Sequence, residues 1–495
     1  MKNNKNLKNF SHFALLVVIV IFLLNIKNIF IKLNYIYLFV DERQLIDDIY
    51  NVFFLNDEFQ RFSNIDNQFV SKVLIFFSEI LIGGNLDYGR LWNNLFVFIC
   101  APFFVISQFA PIVVERFLLI VILYFSIFYF ARHFIPKKYQ NIFVLFTLSA
   151  PGIFYVLNPP KPDVLALLTM FIAFKYLLKD RNYNRGFIFI GISIGIKFSM
   201  ILLGFLVGCY LIYPLKKIDN LEKIIKSIIY TLTGIVIAQP ALIIPYPPLF
   251  ERIISQTKAA VLYNETNIGI SSNSLSNIDN WLFSLEHIFS LNRYILIFFF
   301  LLLIFELINN LMKKLNLNES IFLMLFCFSL IFYCTLISRV WIYYLLIPFI
   351  YLNCYLFLIL GNKKSKITKL ILSFYILISL NGFIANLESE INKGFEENTE
   401  WTSNLYRSLD FIEDEYNQID NPYNLVYWDP TYYFPKQKLT YNADFKVIEN
   451  WDSGKKLEPL DNKVDFIVTR EKILIDTKYS LKTVGDLYIY FISDQ

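Results

Sequence analysis

The sequence predicts a polytopic α-helical membrane protein with about eleven transmembrane helices, followed by a small C-terminal α/β domain. Hydrophobic residues make up 56% of the 495 residues, and the mean hydropathy is +0.48. Apolar runs long enough to cross a bilayer recur along most of the chain, whereas the composition becomes polar and acidic after Asn386. We therefore predict a transmembrane domain at 1–385, which includes an outer loop at 34–111, and a second domain at 386–495.

The first predicted helix follows a basic start, "MKNNKNLKNF". No small-residue cleavage pattern precedes Asp41, so this segment is predicted to be a retained membrane helix and not a removed signal peptide.

The other spans follow from the positions of Lys and Arg. Six links are rich in these residues: "MKNNKNLK", "ARHFIPKKYQ", "KDRNYNR", "LKKIDNLEKIIK", "MKK" and "GNKKSKITK". If all six face the cytoplasm, the positive-inside rule is satisfied throughout. The eleven spans are then predicted at 12–33, 112–131, 141–158, 163–178, 186–197, 199–214, 225–244, 293–311, 319–337, 341–360 and 368–385. We therefore predict an integral protein of the cell (inner) membrane, with a cytoplasmic N-terminus and an extracytoplasmic C-terminal domain.

Two hydrophobic regions are not predicted to form simple full crossings. Counting 91–110 as a further span would turn every later basic link outward, so we predict that 91–110 and the amphipathic 69–82 are packed or interfacial helices on the outer side. The spans 186–197 and 199–214 are short for two full crossings, which favours a bent hairpin.

The C-terminal segment contains the pattern of a small α/β domain. A helix is predicted around 401–418, and strands are predicted at 424–428, 463–469 and 486–493.

Charged residues near the predicted outer ends of the helices are the candidates for chemistry. They are Asp41, Glu42, Arg43, Arg90, Lys161, Asp163, Lys197 and Arg339. Charges at the rim of a membrane domain are costly unless they meet water or perform a function. Carboxylates can take a proton from an acceptor, and cations can hold an anionic leaving group. Transfer of a group from a lipid phosphate needs both the carboxylate that takes the proton and the cations that hold the phosphate.

Other residue types give weaker signals. Net charge is only +4, which gives no support for a nucleic-acid partner, and the five cysteines lie in hydrophobic segments without metal-type spacing. His287 beside Glu286 is the one histidine predicted on the outer side, but its spacing gives no support for a divalent metal. We assign no metal and no cofactor, and a divalent metal is left open without support from the sequence. The acidic residues that continue the first outer loop are predicted to be solvated; they are Asp47, Asp48, Asp57 and Glu58.

The ordered set of these features resembles the GT-C superfamily of membrane glycosyltransferases, in the branch of the protein O-mannosyltransferases and the aminoarabinose transferases. The matching stretches are "VDERQ" after the first helix, "PIVVERFLLIVILYF", "LSAPGIFYVLNPPKPD", "RGFIFIGISIGIKFS", "IAQPALIIPYPPLFERI" and "SRVWIYYLLIPFI", together covering roughly 1–385. Two departures stand out. The family's Lys-Pro-Pro turn is replaced by Tyr88-Gly89-Arg90, and Arg43 directly follows Glu42.

The resemblance implies transfer of a sugar from a polyprenyl-phosphate donor to an acceptor at the outer face, with inversion at the anomeric carbon. Asp41 would be the general base and Glu42 would orient the acceptor or support that base. Arg43, Arg90, Lys197 and Arg339 would contact the donor phosphate, while Lys161 and Asp163 would shape the rim. The acceptor is left open among lipid, glycan and protein. Two other functions are kept as alternatives, a polymerase or ligase of lipid-linked polysaccharide in the cell envelope, and a transporter.

Overall fold

The computed structural model describes the chain in separate stretches. These are 11–23, 67–82, 90–106, 110–148, 163–197, 219–243, 294–299, 317–336, 346–362, 373–379, 424–427, 446–449, 466–469, 479–485 and 487–492, together with the isolated positions 26, 45, 48–49, 52–53, 200, 204, 206–208, 286, 301, 370, 381–382, 407–408 and 411–412. The described residues fall into two compact units, one before and one after the boundary at 386/387.

The first unit is helical, as the sequence predicts. Its helices are α1 (Ser11–Leu23), α2 (Gln68–Ile82), α3 (Arg90–Cys100), α4 (Ala110–Phe134), α5 (Gln140–Leu148), α6 (Asp163–Phe174), α7 (Tyr183–Ile196), α8 (Asp219–Ala238), α9 (Leu317–Leu336) and α10 (Leu346–Asn362). A 3₁₀ turn, Ala101–Val105, follows α3, and a π-helical turn, Lys175–Lys179, follows α6.

Helix α4 is the one described helix that is long and apolar enough to cross a membrane. It has 25 residues and a mean hydropathy of 2.2 in its most apolar window. At about 1.5 Å per residue it reaches roughly 37 Å, more than the hydrocarbon core of a bilayer. This is a finding of length and composition, and the count of eleven spans stays a prediction. In the region 91–110, α3 is followed directly by the 3₁₀ turn Ala101–Val105, and the packed or interfacial placement of this region stays a prediction.

The helical core is rich in aromatic contacts. Phe130 of α4 lies at the centre, with ring centroids 4.6 Å from Phe171 of α6 and 5.3 Å from Phe322 of α9. Phe143 of α5 packs against Phe357 of α10 at 5.5 Å. Since Phe130 is fully buried, these edge and tilted contacts fix how α4 packs against its neighbours.

Helices α6 and α7 form an antiparallel hairpin around the π turn. At one end of the hairpin, Ser193 Oγ donates to the Ala166 carbonyl at 2.7 Å. At the other end, Gly186 packs against Leu177. The beginning of α6 and the end of α7 therefore lie together.

Helix α8 runs parallel to α7 and lies unusually close to it. Gly191 meets Thr231 and Gly234, and Gly195, one turn later, meets Ile235 and Ala238. Both sets of contacts advance by four residues, so the C-terminal ends of α7 and α8 lie together. We call the packed helices α6, α7 and α8 the helical layer, and its two sides are the two ends of these helices. Residues 204 and 208 pack back against α7, since Gly204 meets Ile190 and Ile194 and Gly208 meets Phe187. That order is antiparallel, as expected for the predicted hairpin.

The second unit contains a five-stranded mixed sheet. Its strands are β1 (Asn424–Tyr427), β2 (Lys446–Glu449), β3 (Phe466–Thr469), β4 (Tyr479–Val484) and β5 (Leu487–Ile492), in the order β2-β1-β3-β5-β4. β1 is parallel to β2 and β3, whereas β5 is antiparallel to β3 and β4. The predicted small sheet is thus confirmed, although β2 and β4 were not predicted. The described residues of the predicted helix, 407–408 and 411–412, are helical.

Candidate functional site

Three of the eight predicted site residues lie in the part of the chain that the structure describes. These are Arg90, Asp163 and Lys197. The other five, Asp41, Glu42, Arg43, Lys161 and Arg339, lie outside the described residues, as do Asp47, Asp57, Glu58 and His287.

Asp163 and Lys197 form a buried ion pair. Lys197 Nζ donates to Asp163 Oδ1, and the two side chains are 10% and 2% exposed. Asp163 is the first residue of α6, and Lys197 caps the C-terminal end of α7. The helix dipoles favour a negative charge at the first position and a positive charge at the second. The pair therefore follows directly from the antiparallel hairpin.

This ion pair is incompletely satisfied within the described structure. The second carboxylate oxygen of Asp163, Oδ2, is buried and has no hydrogen-bond partner among the described residues. Removing two charges from water costs several kcal/mol per ion, so a buried pair is weak evidence of stabilisation.

Arg90 is the centre of a second buried cluster. Its side chain is fully buried, and Nη1 lies 3.3 Å from Oδ2 of Asp48, which is itself 1% exposed. Nη2 donates to the Glu79 carbonyl and to Asn94 Oδ1, and Nε donates to the Ile80 carbonyl at 3.4 Å. The guanidinium thus joins the segment around Asp48 to the end of α2 and the start of α3.

The backbone of Arg90 extends this cluster to α8. Its N–H donates to Gln239 Oε1 at 2.9 Å, and Gln239 directly follows the last residue of α8. Because α7 and α8 are parallel, Gln239 lies on the same side of the layer as Lys197. The structure therefore brings all three described candidates, Arg90, Asp163 and Lys197, to one side of the helical layer.

The structure gives the surroundings of these residues, and the roles predicted for them stay predictions. Asp163, which is predicted to shape the rim of the site, is buried and ion-paired with Lys197. The geometry of Arg90 favours a positioning role over direct contact with a donor phosphate, because a phosphate would have to replace hydrogen bonds that the guanidinium already makes. The prediction that Asp48 is solvated is wrong, since Asp48 is buried and ion-paired.

The sequence did contain a signal for Asp48. Leu45, Ile49 and Val52 are all buried, and 45, 48 and 52 are spaced as one face of a helix. A carboxylate on that face is predicted to be buried with it, and a buried carboxylate requires a cation.

Four further buried charges among the described residues were missed by the sequence reasoning: Glu79, Glu115, Arg116 and Glu319. Glu115 and Arg116 are 3% and 7% exposed, in the second turn of α4. The C-terminal end of α4 lies near the π turn, because Lys179 Nζ is 5.7 Å from the Phe134 ring. Glu115 and Arg116 consequently lie toward the same side of the layer as Asp163. Their spacing in "PIVVERF" gives no sign of burial, since a charged pair inside an apolar helix is also typical of an interfacial turn.

No group of three or more His, Cys, Asp and Glu side chains arranged to hold a metal is found within the described ranges. Within the described residues, Asp163 Oδ2 is one buried acceptor oxygen beside the Lys197 ammonium group, which already donates to Asp163 Oδ1. Comparison with protein-family models, curated proteins and solved structures gave no significant match to this chain.

Proposed function

We propose that the chain is a membrane glycosyltransferase that uses a polyprenyl-phosphate sugar as donor. An acceptor hydroxyl attacks the anomeric carbon, the bond from that carbon to the phosphate oxygen breaks, and the hydroxyl proton passes to a carboxylate. The products are the glycosylated acceptor, with inverted anomeric configuration, and a polyprenyl phosphate. A single displacement of this kind needs one general base and no covalent nucleophile.

The observation that carries the proposal is the segregation of charge in the helical layer. Arg90, Asp163 and Lys197 lie on one side, buried and paired with opposite charges. Exposed cations, including Lys179 and Arg185, lie at the other end of the α6–α7 hairpin. A buried site on one side and a basic surface on the other are what an enzyme acting at the outer face of a membrane requires.

In this proposal Asp41 is the general base and Glu42 supports it or orients the acceptor. Arg43, Lys197 and Arg339 hold the donor phosphate, whose charge grows as the sugar leaves. Arg90 joins the end of α2 and the start of α3 to Gln239, which follows α8, and Lys161 and Asp163 border the site. Sugar and acceptor are not specified by these residues.

The test is donor turnover by the purified protein in liposomes. Polyprenyl phosphates that carry different hexoses and pentoses are supplied one at a time, with a membrane extract as the source of lipid, glycan and protein acceptors. Release of polyprenyl phosphate together with labelled acceptor is expected for one class of donor. Movement of label into the lumen without bond cleavage would support a transporter, and growth of long glycan chains would support a polymerase.

The role of Asp41 is tested in the same assay. Loss of a general base typically costs about 10²- to 10⁴-fold in rate, so Asp41→Asn is expected to fall within that range. Asp57→Asn removes an equal charge at a position predicted to be solvated and is the matched control. If Asp41→Asn transfers sugar at the wild-type rate, the assignment of the base is wrong.

A further inference from the structure

A large pocket lies at the basic end of α4, away from the candidate site. Its volume is about 860 Å³. The described residues that line it come from the last turns of α4, the link to α5 and the π turn: Phe125, Phe128, Tyr129, Ala131, Arg132, His133, Phe134, Ile135, Pro136, Lys137, Gln140, Asn141 and Lys179.

The mouth of this pocket is positively charged. Arg132, Lys137 and Lys179 line it and are exposed, and none of the described lining residues is a carboxylate. The neighbouring Asp180 pairs with Lys175 at 3.1 Å, and neither residue is among those lining the pocket. Three basic side chains around one concave surface favour a phosphate group, which carries negative charge and several acceptor oxygens.

The polar amides in the wall have structural roles. Gln140 Nε2 donates to the Ile135 carbonyl at 3.0 Å, and Asn141 Nδ2 donates to the Ser11 carbonyl at 3.1 Å. Phe134 stacks on Phe130 with ring centroids 4.7 Å apart. These contacts hold Gln140, Asn141 and Phe134 in the wall of the pocket. The cations Arg132, Lys137 and Lys179 are then the groups that would contact a bound anion.

The pocket continues into an apolar stripe along α4. Phe117, Val121 and Phe125 are spaced by four residues and are 39%, 37% and 56% exposed. Residues four apart lie on one helix face, so the stripe leads directly to the pocket. Phe125 lies seven positions before Arg132, which is about 10 Å along the helix axis. An exposed apolar stripe about 12 Å long thus leads to the basic residues of the pocket.

We infer that this pocket binds an anionic phospholipid, with its phosphate at Arg132, Lys137 and Lys179 and an acyl chain along Phe117, Val121 and Phe125. The inference does not depend on the proposed function. A free phosphate would use the same cations, but it would leave the apolar stripe and most of the volume unoccupied. Basic pockets between membrane helices are suited to lipid headgroups for this reason.

The test compares lipid retention by the full-length protein purified in detergent. Equal amounts of phosphatidylglycerol and phosphatidylcholine are added, and bound lipids are counted by native mass spectrometry. The triple variant Arg132→Gln, Lys137→Gln, Lys179→Gln is compared with a matched triple, Lys138→Gln, Arg185→Gln, Lys223→Gln, whose residues are also exposed but do not line the pocket. All six side chains are exposed, and melting curves confirm that each protein is folded.

The wild type and the matched triple are expected to prefer phosphatidylglycerol by tenfold or more. Each cation near an anionic headgroup contributes about fivefold in affinity, so the pocket triple should lose most of this preference. Equal loss in both triples would show general surface attraction and overturn the proposal, and so would an unchanged preference in the pocket triple.

A competition arm separates a lipid from a free anion. Short-chain phosphatidylglycerol, glycerol phosphate and inorganic phosphate each compete for the bound lipid. Short-chain phosphatidylglycerol is expected to displace it at a concentration at least 100-fold lower than the other two, because burial of each CH₂ contributes about 0.8 kcal/mol, roughly fourfold. Displacement by inorganic phosphate at the same concentration would overturn the assignment to a lipid.

Discussion

For the buried pair of Asp163 and Lys197, substitutions can separate a contribution to stability from the proposed contact with the donor phosphate. Lys197→Met leaves the Asp163 carboxylate buried without its cation, which is expected to cost about 3–5 kcal/mol of stability. The double variant Asp163→Leu, Lys197→Met removes both charges and should recover most of that loss, because apolar replacements of buried pairs are often neutral. Melting in detergent measures both effects.

Activity of the double variant then tests the chemistry. If Lys197 holds the donor phosphate, the double variant should melt near the wild-type temperature and still transfer no sugar. A double variant that is stable and fully active would show that the pair is structural only.

Arg90 and Asp48 form the second buried pair, and here the expected effect is on stability. Arg90→Lys keeps the charge but loses the planar fork that reaches Asp48, Asn94 and two carbonyls at once. Loss of these bonds inside the core is expected to destabilise the protein by about 2–4 kcal/mol, since each orphaned buried group costs about 1–3 kcal/mol. Asp48→Asn should destabilise the protein by a similar amount. Asp47→Asn, one residue away and predicted to be solvated, is the control. Equal melting temperatures of Asp48→Asn and Asp47→Asn would contradict the buried pair.

The candidate residues could be found from sequence to different extents. Lys197 and Asp163 were predictable because each lies at a helix end marked by an apolar run and a polar turn. Their pairing was not predictable, since it depends on the antiparallel packing of α6 and α7. The contact between Arg90 and Asp48 joins positions 42 residues apart, and the bond to Gln239 joins positions 149 apart. Contacts over such separations leave no local pattern in a single sequence.

At the scale of elements, the close approach of α7 and α8 depends on Gly191, Gly195 and Gly234, and the contacts of Gly191 and Gly234 are the tightest. A Cβ at position 191 would meet the Thr231 carbonyl and lie 2.9 Å from Gly234 Cα, and one at 234 would lie 2.8 Å from the Ile192 nitrogen. Backbone atoms cannot move aside as side chains do, so the helices would have to separate. Gly191→Ala and Gly234→Ala are each expected to destabilise the protein by about 1–3 kcal/mol, as overpacking does.

Gly208 provides the matched control for these glycines. It is buried, but the nearest atom to an added Cβ there would be Phe187 Cε1 at 3.6 Å, an ordinary contact. Gly208→Ala is therefore expected to be neutral or to stabilise by up to about 1 kcal/mol, because alanine has the higher helix propensity. Similar melting temperatures for all three alanine variants would contradict the close packing of α7 and α8.

The elements themselves were predicted unevenly. Long apolar runs predicted the helices, and β3 and β5 were predicted because their residues are apolar and β-branched or aromatic. β4 was missed because it is an edge strand that pairs only with β5 and exposes Leu481, Lys482 and Thr483. Gly485, with φ of 60°, makes the tight turn into β5. β2, at the other edge, has four residues and a mixed pattern, too short to show an alternation.

At the scale of the whole molecule, the charges of the first unit predict its orientation in a membrane. Arg90 and Lys197 are neutralised by carboxylates on one side of the helical layer. Arg132, Lys137, Lys179 and Arg185 are exposed at the other end. The unneutralised cations should face the cytoplasm, because positive loops are retained there during insertion.

Reporter fusions test this orientation at two positions. Seven spans are predicted between 181 and 386, so an alkaline phosphatase fused after residue 386 should be active outside the cell and one fused after residue 181 should be inactive. A fluorescent protein, which matures only inside, should give the opposite pattern at both positions. An even number of crossings between the two positions would put both reporters on the same side. A reversed pattern would place the pocket of Arg132, Lys137 and Lys179 outside and remove the charge argument for an outer site at Asp163 and Lys197.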